Sequence, residues 1–104
     1  MPRQRLPNRR GHEVIAFEHD GQKYIAGIGR FALGGLAEAF MTASKSGTAI
    51  ETFAADAAIL LSFALQHGAD PAAVRRALVR NANGEPGGPI ARLLDLLATD
   101  EALH

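Results

Sequence analysis

Hydrophobic and polar positions in the first half of the chain follow the alternation of β-strands. A β-prone run ends at Asp20-Gly21, a strong signal for a type I′ turn because both central residues take positive φ. A longer β-prone run returns from this turn, and Leu33-Gly34-Gly35 marks a second turn before another short run. We therefore expect a three-stranded antiparallel β-meander with strands at about 13–18, 23–31 and 36–42.

The second half of the chain changes to the period of α-helices. Apolar residues recur every three or four positions from Ile50 to Leu65, and the breadth of this stripe predicts a long helix that is largely buried. Asp70 and Pro71 form an N-cap and first-turn pair that opens a second helix, and Pro89 opens a third. The predicted class is α+β, with helices after the sheet at about 48–67, 71–80 and 89–98.

Composition limits both the size and the chemistry of the protein. With 104 residues the chain has room for one domain, which we place at residues 13–104. Its 11 basic and 11 acidic residues give a net charge of zero, whereas nucleic-acid proteins usually carry a basic excess. The chain has no cysteine, which excludes disulfides, thiol catalysis and thiolate zinc sites within it.

Residues 1–12 have the composition of a flexible basic arm. No apolar segment of the kind found in secretory signals follows the arm, and the longest apolar run, residues 57–65, is too short to span a bilayer. We therefore expect a cytoplasmic protein without a membrane partner. The arm could be a solubilising tail, or it could contact phosphate or an acidic partner through Arg3, Arg5, Arg9 and Arg10.

Candidate chemistry is sparse. No histidine lies at helical spacing from a second histidine, and no His-Glu-x-x-His run exists, so the sequence predicts no metal site. No serine or threonine has a flanking catalytic motif. The loop from Ser44 to Thr48 places Lys45 before a predicted helix, where backbone amides and an ammonium group could hold an anion. The alternative is a connecting loop in which Thr48 caps the helix.

The segment Gly35–Arg80 resembles the TSCPD domain, found near the C-terminus of adenosylcobalamin-dependent (class II) ribonucleotide reductases. Glu38 and Phe40 match the first part of that family's motif, and Lys45 and Gly47 match the second. The later matches are Leu65, Gly68, Asp70, Pro71, Val74 and Leu78.

The resemblance implies a stand-alone TSCPD-domain protein of the kind found in some bacteria. It does not imply reductase activity, because those enzymes use a thiyl cysteine and a redox pair of cysteines, and this chain has none. The catalytic barrel of the full enzymes also does not fit in 104 residues. We therefore expect no cofactor in this chain, although the family's full-length enzymes use adenosylcobalamin.

Three functional hypotheses follow. The first is a non-catalytic binding or accessory module whose partner is another protein or a second copy in a homodimer, with Glu38, Phe40, Lys45 and Gly47 as family-motif residues. The second is a nucleotide or nucleic-acid binding protein that uses the basic arm together with Lys45, Arg75, Arg76 and Arg80. The third is a small enzyme in which Glu38 and Lys45 form an acid/base pair, which requires Glu38 to point inward near the loop.

Overall fold

The computed structural model describes residues 13–45 and 47–99 and confirms the predicted α+β class. In this part of the chain the elements are β1 (Glu13–His19), β2 (Gln22–Arg30), β3 (Leu36–Ala43), α1 (Ala49–Gln66), α2 (Pro71–Ala77) and α3 (Pro89–Thr99). The predicted basic arm, with Arg3, Arg5, Arg9 and Arg10, lies outside the described residues.

The three strands form an antiparallel sheet in the order β1-β2-β3. Asp20 and Gly21 both take positive φ, 51° and 76°, so the turn between β1 and β2 has the backbone that the Asp-Gly pair predicts. Side chains alternate between the two faces of the sheet, and on β2 the inward residues Tyr24, Ala26 and Ile28 are buried. This inner face forms one side of the core.

The helices supply the other side of the core. On α3, the predicted spacing of four apolar residues places all of them in the core: Ile90, Leu93, Leu94 and Leu97. Helix α1 contributes Ala54, Ala58, Leu61 and Leu65. Alanines at two of these four positions allow α1 to lie close to the sheet.

Helix α1 packs along the outer edge of β3 and binds its backbone. The Ser62 Oγ accepts a hydrogen bond from the Ala39 N–H at 2.9 Å, and its hydroxyl faces the carbonyl oxygens of Ala39 and Ala58 at 3.0 and 2.9 Å. One turn later, Gln66 Nε2 donates to the Ala37 carbonyl at 3.2 Å. These contacts satisfy backbone groups that an edge strand otherwise presents for pairing with another chain.

Two expectations about the helices need correction. Only one face of α1 is buried, since Phe53 remains 71% exposed and Leu60 69% exposed. The three-stranded sheet can cover one side of the helix, and none of the described elements lies on the other. Helix α2 ends at Ala77 rather than near residue 80, because Leu78 is extended and Val79 accepts a hydrogen bond from the Gly87 N–H at 3.0 Å.

Within the described ranges, α1 is the one helix long and apolar enough to cross a membrane, judged by length and composition alone. Its mean hydropathy is 1.4 over 18 residues, of which 33% are buried. The core helix of a water-soluble domain meets the same criterion, and α1 is bound to β3 by polar side chains. The absence of a membrane partner stays a prediction.

Replacing Ser62 with alanine tests the attachment of α1 to β3. Ser62→Ala leaves the buried Ala39 N–H without its acceptor, so we expect the free energy of unfolding to fall by about 1–3 kcal/mol. The matched control is Thr52→Ala, which removes a hydroxyl from an exposed position of the same helix and should change stability by less than about 0.5 kcal/mol. Urea denaturation of both variants measures the difference, and equal effects would contradict the assigned role.

Candidate functional site

The predicted pair of Glu38 and Lys45 does not come together. Glu38 lies near the start of β3 on the outer face of the sheet, whereas Lys45 is exposed beyond the end of that strand. The extended segment from residue 38 to residue 43 alone spans roughly 16 Å. Glu38 is 5% exposed, and its carboxyl group lies over Gly29 of the neighbouring strand. The geometry that the acid/base hypothesis requires is therefore absent.

Phe40, the second motif residue, lies on the same outer face but is half exposed. The register places Phe40 opposite Gly27 and Gly27 opposite Val14, so the three form one row across the sheet. A Cβ added at Gly27 would meet no atom within 4 Å, which leaves a shallow space between Phe40 and Val14. Glu38 and Phe40 thus share a face of the sheet without forming a concave site.

The loop before α1 is closed by its own capping interactions. Thr48 Oγ1 accepts from the Glu51 N–H at 3.2 Å and donates to the Lys45 carbonyl at 2.9 Å, while the Gly47 N–H donates to Glu51 Oε1 at 2.9 Å. This arrangement resembles a capping box, in which the glutamate side chain accepts from the N–H of the N-cap residue. Here Glu51 accepts instead from Gly47, the residue before the N-cap Thr48. The Glu51 carboxylate occupies the place that an anion would take, so the geometry favours the connecting-loop interpretation.

Two of the three arginines near the end of α2 pair with an acid inside the chain. Arg80 donates to both oxygens of Asp95, at 2.6 and 2.7 Å, and the Arg75 Nε donates to the same carboxylate at 2.8 Å. The hydrogen bonds from Arg80, more than those from Arg75, hold the pKa of Asp95 well below its usual range. Arg76 remains exposed. One carboxylate offsets one of the three positive charges, so the cluster that the second hypothesis assigns to phosphate keeps a net positive charge, although two of its arginines are held by Asp95.

A broad apolar face of α1 was missed by the sequence analysis, which assigned the whole stripe to the core. We call it the open face, and it consists of Ile50, Phe53, Ala57, Leu60, Phe63 and Ala64. Its four large side chains are exposed, and its two alanines are partly buried. The signal available in the sequence was the excess of apolar residues, because α1 is apolar over more of its circumference than one sheet can cover.

A cleft beside the β1–β2 turn was also missed. It has a volume of about 460 Å³ and lies between that turn, the first half of α1, the segment after α2 and the start of α3. Its lining includes His19, Tyr24, Phe53, Val79 and Ile90, and we call it the His19 cleft. Among the described residues no group of three His, Cys, Asp or Glu side chains could hold a metal ion, here or elsewhere.

The contact between Glu38 and Gly29 can be tested with two glycines of one strand. A Cβ at Gly29 would lie 2.5 Å from Glu38 Oε2 and 2.7 Å from its Cγ. We therefore expect Gly29→Ala to lower the free energy of unfolding by about 1–3 kcal/mol. Gly27→Ala, on the same face with open space above it, should leave stability unchanged or raise it by up to about 1 kcal/mol.

Denaturation of these variants and of Glu38→Ala completes the experiment. If the new methyl group clashes with the side chain of Glu38, the double variant Gly29→Ala, Glu38→Ala should lose less free energy of unfolding than the sum of the losses of the two single variants. Strict additivity would show that the Gly29 effect arises from the backbone instead.

The Asp95 cluster predicts a pH-dependent contribution to stability. Because the pKa of Asp95 is lower in the folded chain than the unfolded value of about 3.9, the stabilisation is fully present above that pH and is lost progressively as the pH falls from there through the folded pKa. We expect Asp95→Asn to lower the midpoint of thermal unfolding at pH 7 and to lower it by clearly less near pH 2. The control is Glu18→Gln, which neutralises an exposed carboxylate on β1. If Asp95→Asn lowered the midpoint of unfolding equally at both pH values, the stabilisation by Asp95 would not be ionic in origin.

The chain matches no protein-family model, no curated protein and no solved structure in the comparisons made with them. The resemblance to the TSCPD domain therefore stays a prediction, supported by the motif residues of its sequence.

Proposed function

We propose that the protein is a non-catalytic accessory module that self-associates through the open face of α1. The observation that carries this proposal is the exposure of Phe53 and Leu60, which lie two turns apart on one side of the same helix. Isolated apolar residues are normal on a protein surface, but a contiguous apolar patch marks an interaction site. The charged residues of α1 are Glu51, which caps the helix, and Asp56, an exposed residue that lies within the open face, one turn from both Phe53 and Leu60.

The spacing along the open face fits a second copy of the same helix. Phe53, Ala57, Leu60 and Ala64 follow one another at intervals of four, three and four residues, as in helices that pack side by side. Large and small residues alternate along this row. In an antiparallel pair, Phe53 of one chain faces Ala64 of its partner, and Leu60 faces Ala57, so each large side chain meets a small one.

A parallel pair would be packed less evenly. It would place Phe53 against the Phe53 of the partner and Ala57 against the Ala57 of the partner. The first layer would be overcrowded and the second would leave a gap. The antiparallel arrangement also places the positive end of each helix dipole beside the negative end of the other. A two-fold axis between the helices generates it from one surface patch, as in most homodimers.

The size of the open face agrees with a small homodimer. The exposed portions of Ile50, Phe53, Leu60 and Phe63 amount to roughly 400 Å² per chain. A standard interface buries about 800 Å² per partner, of which somewhat more than half is apolar. The open face therefore supplies the apolar part of such an interface, and neighbouring polar residues would supply its rim.

An accessory role is also what the resemblance to the TSCPD domain implies. In this interpretation the chain has the fold of a small domain from a radical enzyme but none of the cysteines that the enzyme uses in catalysis. The separation of Glu38 from Lys45 supports the same conclusion, because no acid/base pair forms around the motif.

The oligomeric state tests the proposal. We expect a dimer by size-exclusion chromatography with light scattering, and Leu60→Glu should convert it to a monomer, because two buried carboxylates would lie close together in the interface. Leu33→Glu is the matched control, since it makes the same change at a fully exposed residue in a turn away from α1. Circular dichroism should show that both variants remain folded.

Single cysteines distinguish the two helix orientations, and the chain offers a cysteine-free background. In the antiparallel pair, two copies of residue 53 are offset by 11 positions, roughly 16 Å, which is beyond the reach of a disulfide. Phe53→Cys and Ala64→Cys should therefore form a disulfide when the two variants are mixed and not when either is oxidised alone.

Three results would overturn the proposal or its geometry. Self-crosslinking of Phe53→Cys would indicate parallel helices. A dimer that Leu60→Glu leaves intact would place the interface elsewhere, such as on the outer face of the sheet around Phe40. A monomer at high micromolar concentration would contradict self-association, and its co-sedimentation with phosphatidylcholine vesicles would assign the open face to lipid.

A further inference from the structure

The second edge of the sheet is formed by β1, which pairs only with β2 among the described residues. We propose that this edge binds an extended, basic segment of another protein, which joins the sheet as a fourth strand. The site shares no residue with the open face of α1. The proposal therefore goes beyond the dimer and does not depend on it.

The direction of the backbone hydrogen bonds shows which residues of β1 face this edge. The Ser44 N–H donates to the Lys23 carbonyl at 2.9 Å, so odd-numbered residues of β2 bond towards β3 and even-numbered residues bond towards β1. Each even-numbered residue of β2 pairs with an odd-numbered residue of β1. The N–H and C=O groups of Val14, Ala16 and Glu18 therefore point away from β2, towards the unpaired edge.

This edge has few of the features that usually prevent pairing with another strand. Edge strands are commonly short, bent by a bulge, interrupted by proline or covered by another element. Strand β1 has seven residues, contains no proline or glycine, and pairs with β2 in an unbroken register. Helix α1 covers the opposite edge through Ser62 and Gln66, and none of the described residues makes such a contact with β1.

The side chains of β1 favour an added strand in which apolar residues alternate with larger polar ones. On the inner face it would lie beside Ile15 and Phe17, which pack against the core but are only partly buried. Apolar side chains there would complete the burial of both residues. On the outer face it would lie beside Val14, Ala16 and Glu18, which are exposed. The small Ala16 at the centre leaves room for a large side chain.

The charges at this edge select a basic segment. The charged residues of β1 are Glu13 and Glu18, and the exposed Asp20 follows in the turn. Glu13 is paired with Arg30. Glu18 lies opposite Lys23 in the register, but no ion pair joins the two side chains. A lysine or arginine of the added strand that faces Glu18 would therefore meet an exposed carboxylate.

A second copy of β1 fits the edge less well than a basic segment does. Antiparallel pairing of two copies about Ala16 would place Val14 beside Glu18 of the partner. Each copy would bring two glutamates and no lysine or arginine, so like charges would accumulate and neither Glu18 would gain a cation. The charges thus favour a partner of different sequence.

The peptide Ser-Lys-Val-Tyr-Val-Lys-Ser, acetylated and amidated at its ends, is the probe for this site. With its tyrosine opposite Ala16, both valines lie on the inner face and both lysines on the outer face. We expect saturable amide NMR shifts along β1 at millimolar peptide, and slower hydrogen exchange at Val14, Ala16 and Glu18. A peptide with glutamates in place of its lysines should bind at least about fivefold more weakly.

N-methylation of the peptide separates strand addition from other modes of binding. In the added strand the tyrosine N–H donates to β1, whereas the valine N–H groups point away from it. A methyl group on the tyrosine nitrogen should therefore weaken binding at least about tenfold. The same methyl group on one valine nitrogen is the matched control and should change affinity by less than about twofold.

Variants of the chain test the same contacts from the other side. Ala16→Pro removes the central N–H of the edge, at a position where an edge strand tolerates proline, and should weaken binding at least about tenfold. Ala16→Gly also disfavours a strand but keeps the N–H, so binding should persist. Glu18→Gln should weaken binding by about two- to fivefold. Glu85→Gln, the same change in the loop after α2, should have no effect. Circular dichroism checks that each variant is folded.

The opposite results would overturn the assignment. Equal effects of the two N-methyl groups, full binding by folded Ala16→Pro, or no shifts at millimolar peptide would show that β1 does not accept this strand. Shifts confined to α1 would assign the peptide to the open face. A dimer that survives Leu60→Glu and dissociates with Ala16→Pro would place a second copy at the edge, contrary to both proposals. If Leu60→Glu gives a monomer that binds no peptide, only the proposal for β1 fails.

Discussion

Ser62 of α1 and the backbone of Ala39 on β3 form the contact on which the arrangement of the remaining surfaces depends. A three-stranded sheet has two edges and two faces, and a single long helix cannot cover all of them. By binding the β3 edge through Ser62 and Gln66, α1 is held in one rotation about its axis. That rotation decides which apolar residues enter the core.

The same rotation leaves Phe53 and Leu60 directed away from the sheet. In addition, the N-terminal half of α1 lies beside the start of α3, and the His19 cleft forms between them. The open face and the cleft are therefore two consequences of one packing arrangement, and they share Ile50, Phe53 and Ala57. A dimer through the open face would therefore cover part of the cleft wall.

Polar groups that suggested chemistry in the sequence are largely satisfied within the fold. Asp95 binds Arg75 and Arg80, and Glu51 caps the loop that carries Lys45. The open face of α1 is mainly apolar, which is why the proposed partner is a second copy of the chain.

The sequence by itself determined the elements of this protein. The Asp20-Gly21 turn, the Asp70-Pro71 start of α2 and the helical periodicity are local signals, because each depends on residues within a few positions of one another. Tertiary structure alone decided which face of α1 is buried and which acid pairs with Arg75 and Arg80. The contacts responsible join residues 23 positions apart at Ser62 and Ala39, and 20 apart at Arg75 and Asp95. Local periodicity shows which side of a helix is apolar. How much of that side is buried depends on how many other elements pack against the helix.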